Sequence, residues 1–163
     1  MHGYDIMLYL KDHLRTIWYV GTSQLYALLK KMEEQQLVET KTKTQLQRPS
    51  KRIHQLTPSG EAEFISWVCR PCDHVRDLRI EFMAKLFFIH RHNLAGGRQL
   101  IAGQRLILNH RLTKMKQRSR DSADAYQDLL RNYKMKTLNN WLDWIDRCAE
   151  PFINEHVAET SDV

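Results

Sequence analysis

Residues 22–60 read TSQLYALLKKMEEQQLVETKTKTQLQRPSKRIHQLTPSG, and the order of patterns inside this stretch decides the fold. Over Thr22–Gln36 the apolar residues Leu25, Leu28, Leu29 and Met32 recur at the spacing of one helical face, so they are expected to pack inward together. The opposite face then carries Ser23, Ala27, Lys30 and Glu34, flanked by Gln24, Lys31 and Tyr26. From Leu37 to Lys43 the period drops to two and β-branched residues alternate with charges, which predicts a strand. Residues 45–50, broken by Pro49, read as a loop, and Lys51–Leu56 as the returning strand. Thr57 and Pro58 then start a helix, since a threonine hydroxyl caps free N–H groups and proline needs no donor at the first helical position. That helix is expected to reach about Val68. Upstream, Ile6, Met7, Leu10 and Leu14 mark a helix over Gly3–Leu14, joined to the next through residues 15–21. Two helices, a two-stranded ribbon and a third helix make a winged helix-turn-helix.

The distribution of charge says which partner such a unit suits. The chain has 163 residues, 42% of them hydrophobic, and a net charge of +6. Lys41–Leu56 holds five Lys or Arg and no acid, and Arg98–Arg120 holds seven and no acid. Together these segments carry +12, so the remainder is net −6. Lys41, Lys43, Arg48, Lys51 and Arg52 on the ribbon have two readings: phosphate contacts, or a solvated edge whose cations discourage sheet aggregation. For residues 98–120 the outer face of a long helix accounts for the charge as well. No uncharged apolar run of membrane-spanning length occurs; Phe82–Ile89, the longest candidate, contains Lys85. The first residues lack the basic and apolar regions of a signal peptide, and a cytoplasmic protein is expected.

Pro71 breaks the pattern and marks a joint, giving an expected winged helix-turn-helix over residues 1–70, a helical domain over 74–150 and a tail over 151–163. Residues 75–90 carry the stripe Leu78, Phe82, Leu86 and Ile89; Gly96-Gly97 ends it. A helix over about 98–118 bears Leu108, Leu112 and Met115. A second over about 121–148, some 42 Å long at 1.5 Å per residue, bears Leu130, Leu138, Trp141 and Ile145. Stripes this broad exceed what one small helical unit can hide, so these seven positions are expected to meet a second copy of the chain. The fold class is therefore mostly α: a winged helix-turn-helix with a two-stranded wing, then an all-α, antiparallel coiled-coil-like dimerisation domain.

Several segments together resemble one family. Residues 1–6 (MHGYDI), 21–33 (GTSQLYALLKKME), 37–39 (LVE), 51–60 (KRIHQLTPSG) and, further on, 81–88 (EFMAKLFF) are, in that order, similar to the PadR family of transcriptional regulators, the last to its virulence-activator-like C-terminal branch. The resemblance implies homodimers that bind imperfect palindromes in double-stranded DNA, more often as repressors, some relieved by a small aromatic effector. It places DNA contacts at the start of the second helix, around Ser23, Gln24 and Tyr26, and on the wing around Arg48–Arg52, Lys51 included; Thr22, Lys30, Lys31 and Lys43 beside them are expected to bind DNA as well. Relatives carry a proline where this chain has Ala27. They also carry a helix ahead of the His-Gly-Tyr motif that this sequence does not include, so Ile6, Leu10, Leu25 and Leu29 are expected to lack cover.

Other motifs read more plainly. Cys69-x-x-Cys72 has no preceding strand and no second pair, so neither a redox site nor zinc is expected; His90-Arg91-His92 reads as the surface end of a helix. Trp67, Trp141 and Trp144 are candidates for an aromatic ligand pocket, or simply core. No phosphate loop, nucleophile elbow or carboxylate pair is present, so no enzyme activity, catalytic residue, metal or cofactor is expected. The rival reading is a winged helix used for protein–protein contact, or a truncated relative that does not bind DNA.

Overall fold

The structure, a computed structural model, describes residues 1–45, 48–117 and 124–159, and within these the side chains of all but 43–51 and 156–159. The chain forms two compact units that meet between Trp67 and Val68, three residues before the boundary expected at 70.

In the first unit, α1 (Gly3–Leu14) and α2 (Thr22–Glu34) precede an antiparallel hairpin of β1 (Val38–Gln45) and β2 (Arg48–Leu56), and α3 (Pro58–Cys69) follows. The hairpin pairs Val38 with Leu56 through to Lys43 with Lys51, then shifts register before Gln45 pairs with Arg48. Strand pairing therefore continues into what the sequence presents as loop, and Pro49 falls within the shift, where a missing donor is tolerated. Met1 and His54 exchange two backbone bonds of 2.8 Å, and His2 bridges Ile53, so the start of the chain adds a short third edge to the hairpin.

The ends of these elements are defined by local chemistry. Gln36 closes α2 in the left-handed region (φ 58°), and the Leu37 N–H returns to the Met32 carbonyl at 2.9 Å. Thr57 Oγ1 donates to the Gln36 carbonyl at 2.7 Å and accepts from the Gly60 N–H at 3.0 Å, which confirms it as the cap of α3. Gly60 is required there: a Cβ would stand 1.9 Å from the Leu37 carbonyl oxygen. Leu14, Leu25, Leu29 and Val38 are buried. Leu25 and Leu29 are thus covered, contrary to expectation, because α1 and β1 pack against α2; Ile6 and Leu10 stay half-buried. Leu28, expected to face inward, is exposed, since the buried stripe is narrower than the apolar pattern.

The second unit runs from Val68. A 3₁₀ turn (Val75–Arg79) leads into α4 (Glu81–Arg91), so the single helix expected over 75–90 is broken at Ile80. α5 (Gly97–Gln117) and α6 (Ala125–Trp144) pack antiparallel, with Arg131 donating to the Met115 carbonyl at 2.8 Å near one end and Arg105 to Asp146 near the other. A π turn (Ile145–Ala149) then joins α6 to α7 (Glu150–Glu159). The expected tail is helix as far as Glu159, with Ile153 buried against Gly97.

Of the seven positions expected to meet a second chain, Leu108, Leu112, Leu138 and Ile145 are buried within this chain, because α5 and α6 close the seam on each other. Met115, Leu130 and Trp141 are half-buried. The core of this unit also holds a charge. Lys85 is 0% exposed, and its ammonium bonds Glu81 at 2.7 Å and the Arg70 carbonyl at 2.7 Å. Gln104, also buried, brackets Cys72 by accepting from its N–H at 2.7 Å and donating to its carbonyl at 3.1 Å. Paired and hydrogen-bonded in this way, polar groups tolerate burial. They pin the joint after Pro71 to α4 and α5.

Candidate nucleic-acid interface

The first unit presents α2 by burying one side of it. Leu25 and Leu29 anchor the helix, while Thr22, Ser23, Gln24, Tyr26, Lys30 and Lys31 are all exposed. The first turn of α2 contains no acid, so its free N–H groups and the positive end of the helix dipole have no internal anion. Thr22 Oγ1 contacts the Met7 sulfur at 3.2 Å, which ties the start of α2 to α1. Tyr26 has a double role. It is half exposed, yet its ring lies so close to Gly3 that a Cβ there would stand 2.7 Å from Cε1. The glycine of the His-Gly-Tyr motif thus makes room for this ring, a link the sequence pattern does not display.

Arg52 leaves β2 to meet Glu33 of α2 at 3.4 Å, and Lys30 meets Glu34 at 3.8 Å. Exposed pairs of this kind contribute at most about 1 kcal/mol, so they orient the cations without committing them. Lys41 pairs with Glu39 at 2.9 Å. The backbones of Lys43, Arg48 and Lys51 lie in the hairpin, but their side chains fall outside the described residues. Beneath Arg52, His54 is buried and shares a 3.0 Å hydrogen bond with Thr40 Oγ1. Burial, assisted by the Arg52 guanidinium, holds its imidazole below the usual histidine range.

The second unit holds the other sequence candidates. Trp141 and Trp144 contact edge to face, with ring centroids 5.6 Å apart, and Trp141 lines a groove of about 870 Å³ between the 3₁₀ turn, α5 and α6. Trp67 belongs to the first unit, where its ring neighbours Phe64 at 6.1 Å. Cys69, Cys72 and Cys148 are free thiols, and burial pushes the Cys72 thiol up to about 11, which keeps it protonated. His90 stacks on Phe152 at 4.5 Å, and His92 on Phe88 at 6.2 Å. No grouping of ligating side chains among the described residues could hold a metal ion, and no described helix is long and apolar enough to cross a membrane.

Comparison with known proteins matches both units. Residues 1–66 match the transcriptional regulator PadR-like family, and residues 78–151 match the virulence activator alpha C-terminal family. The negative transcriptional regulator PadR of Bacillus subtilis is 34% identical over 89 residues, which cover 55% of this chain and 49% of that protein. The probable transcriptional regulator Rv1176c of Mycobacterium tuberculosis is 28% identical over 74 residues, covering 45% and 39%. The matched stretches thus span half or less of these relatives' own lengths. The crystal structure of Bacillus subtilis PadR in complex with operator DNA aligns over 93% of this chain and 89% of that one, at 25% identity and a TM-score of 0.44.

Proposed function

We propose that this chain, which belongs to the PadR-like transcriptional regulators and carries a virulence-activator alpha C-terminal domain behind the PadR-like one, binds a palindromic DNA site as a homodimer and represses transcription. One observation carries the reading: α2 keeps Ser23, Gln24 and Tyr26 exposed at an acid-free N-terminus while Leu25 and Leu29 fix it from below. Such a helix end enters a major groove, where amide and hydroxyl side chains read base edges. Lys30, Lys31 and Arg52, with the basic ribbon beside them, supply phosphate contacts that set register. The Bacillus subtilis relative is a negative regulator, and that is the ground for repression.

The dimer reading rests on the outer face of α6. With the α5–α6 seam closed internally, Tyr126 and Leu129 stand 65% and 66% exposed, three residues apart on one face, next to half-buried Leu130. A second copy laid along this face would cover them. A two-fold dimer would also offer two α2 helices to major grooves about 34 Å apart. An effector with an aromatic ring fits the exposed side of Trp141.

Selection of bound fragments from a genomic library, followed by fluorescence anisotropy, tests the reading. It is supported by one enriched palindromic site whose affinity falls steeply between about 50 and 200 mM salt. Equal affinity for all duplexes at low salt would overturn it. Sedimentation at micromolar concentration checks the dimer, and a stable monomer would remove it.

A further inference from the structure

The groove beside Trp141 is more strongly charged than a site for a neutral or singly charged ring requires. Its described walls carry Arg76, Arg79, Arg111, Lys114, Lys134 and His74, and no carboxylate. Arg76 faces Asp77 at 3.4 Å, and Arg111 donates to the Asp73 carbonyl, a neutral acceptor. Arg79, Lys114 and Lys134 have no carboxylate within ion-pair distance among the described residues. Five permanent cations converge from three elements, the 3₁₀ turn, α5 and α6, around one hollow. Like charges gathered this closely repel one another, and an anion would relieve that repulsion.

The hollow is not only cationic. Tyr133 and Trp141 border it on α6, two turns and about 12 Å apart, and buried Leu138 lies between them in the sequence. A guanidinium fork suits phosphate oxygens bidentately, and a half-exposed indole suits the face of a base. The volume of about 870 Å³ exceeds what a single-ring acid fills and lies within the range that holds a larger ligand.

We propose that this groove binds a nucleoside di- or triphosphate, its base against Trp141 or Tyr133 and its phosphates among Arg79, Arg111 and Lys114. The proposal deepens the effector reading and rests on it for the bound nucleotide's role as a signal.

The test is calorimetric and tryptophan-fluorescence titration of the full chain, without DNA, at one salt concentration. ATP and GTP are the nucleotide probes, adenosine the base alone, tripolyphosphate the charge alone and benzoate the singly charged ring. Saturable binding of ATP or GTP is expected, with the other three probes weaker by at least about tenfold, the factor one charge-assisted hydrogen bond supplies. The double variant Arg79→Glu/Lys114→Glu, both sites being exposed, should lose at least about tenfold in nucleotide affinity with an unchanged melting curve. If it fails to fold, exposed Lys134→Glu carries the same expectation.

Tripolyphosphate binding as tightly as ATP would reduce the groove to a charge patch, and benzoate doing so would make it a site for aromatic acids; either overturns the proposal. So would a random duplex that displaces ATP while the double variant weakens duplex and nucleotide alike, or no heat from either nucleotide. Nucleotide binding without duplex selectivity would break the regulator reading alone, and duplex selectivity without nucleotide binding would break this one alone.

Discussion

The two units are held together differently. The first depends on backbone contacts at its joints: the Thr57 cap, the left-handed Gln36, the close approach of Gly60 to Leu37 and the hairpin ladder. The second depends on side chains sealed in a core, among them the charged Lys85 with Glu81 and the amide of Gln104 around Cys72. A unit braced at its backbone can leave most side chains of α2 outward. A unit braced by side chains has fewer to spare, and among its described outward features are the stripe on α6, exposed Leu106 on α5 and the groove beside Trp141.

The largest expected effect breaks the second kind of support. Lys85→Ala removes a fully buried chain and its bonds to Glu81 and Arg70 and should destabilise the unit by about 3 kcal/mol in urea unfolding. Lys85→Met, which keeps the volume, should lose roughly half as much. A smaller effect breaks the first kind: Gly60→Ala forces a methyl onto the Leu37 carbonyl and should destabilise by about 2 kcal/mol. Hydrogen exchange should show that loss in residues 37–60 before residues 81–117 are affected. If both substitutions loosened both units equally, the contrast would fail.

Smaller still are the changes at the α2 face. Gln24→Ala should relax preference at one base pair by about 1 kcal/mol, while Arg52→Ala should weaken all duplexes alike by about 1 kcal/mol and lower the salt slope by about one. Anisotropy against a panel of single-base variants separates the two, and matching profiles would refute the division of roles. The smallest effect is that of His54. Because its imidazole titrates lower in the folded state than in the unfolded chain, stability contributed by the neutral form is complete above the unfolded value near 6.5 and is lost as pH falls through the folded value. Thermal melts of the first unit should therefore decline below that pH, and His54→Gln should flatten the dependence.

Much of the first unit was legible because its punctuation is chemical. Thr57-Pro58 and the leucine stripe named α3 and α2 nearly to the residue. Pro49 misled in the hairpin, because a register shift tolerates a residue that a regular ladder excludes. The outward position of Ser23 and Gln24 was legible, but the packing of Tyr26 on Gly3 and the pairing of Arg52 with Glu33 depend on distances across elements. In the second unit a lysine inside an apolar run reads as an interruption. Lys85 can be buried only because Glu81 and the Arg70 carbonyl are waiting, and that meeting has no linear signature. Two of the five groove cations, Arg111 and Lys114, were visible as charge in residues 98–120; Lys134 lies on α6, and the 3₁₀ turn that supplies Arg76 and Arg79 was read as helix.

The π turn at residues 145–149 has a consequence for how the chain tolerates change in length. A π turn holds about one residue more than an α turn, so everything downstream lies roughly 100° behind where an uninterrupted α-helix of the same length would place it. Ile145 faces the α5 seam and Ile153 faces Gly97, and the π turn lies between these two buried positions. Straightening this turn to α geometry at unchanged length would swing Ile153 away from Gly97, whereas deleting a single residue within it would restore an uninterrupted α-helix with Ile153 still in place. At this bend the chain can lose one residue more easily than it can lose the π turn at full length.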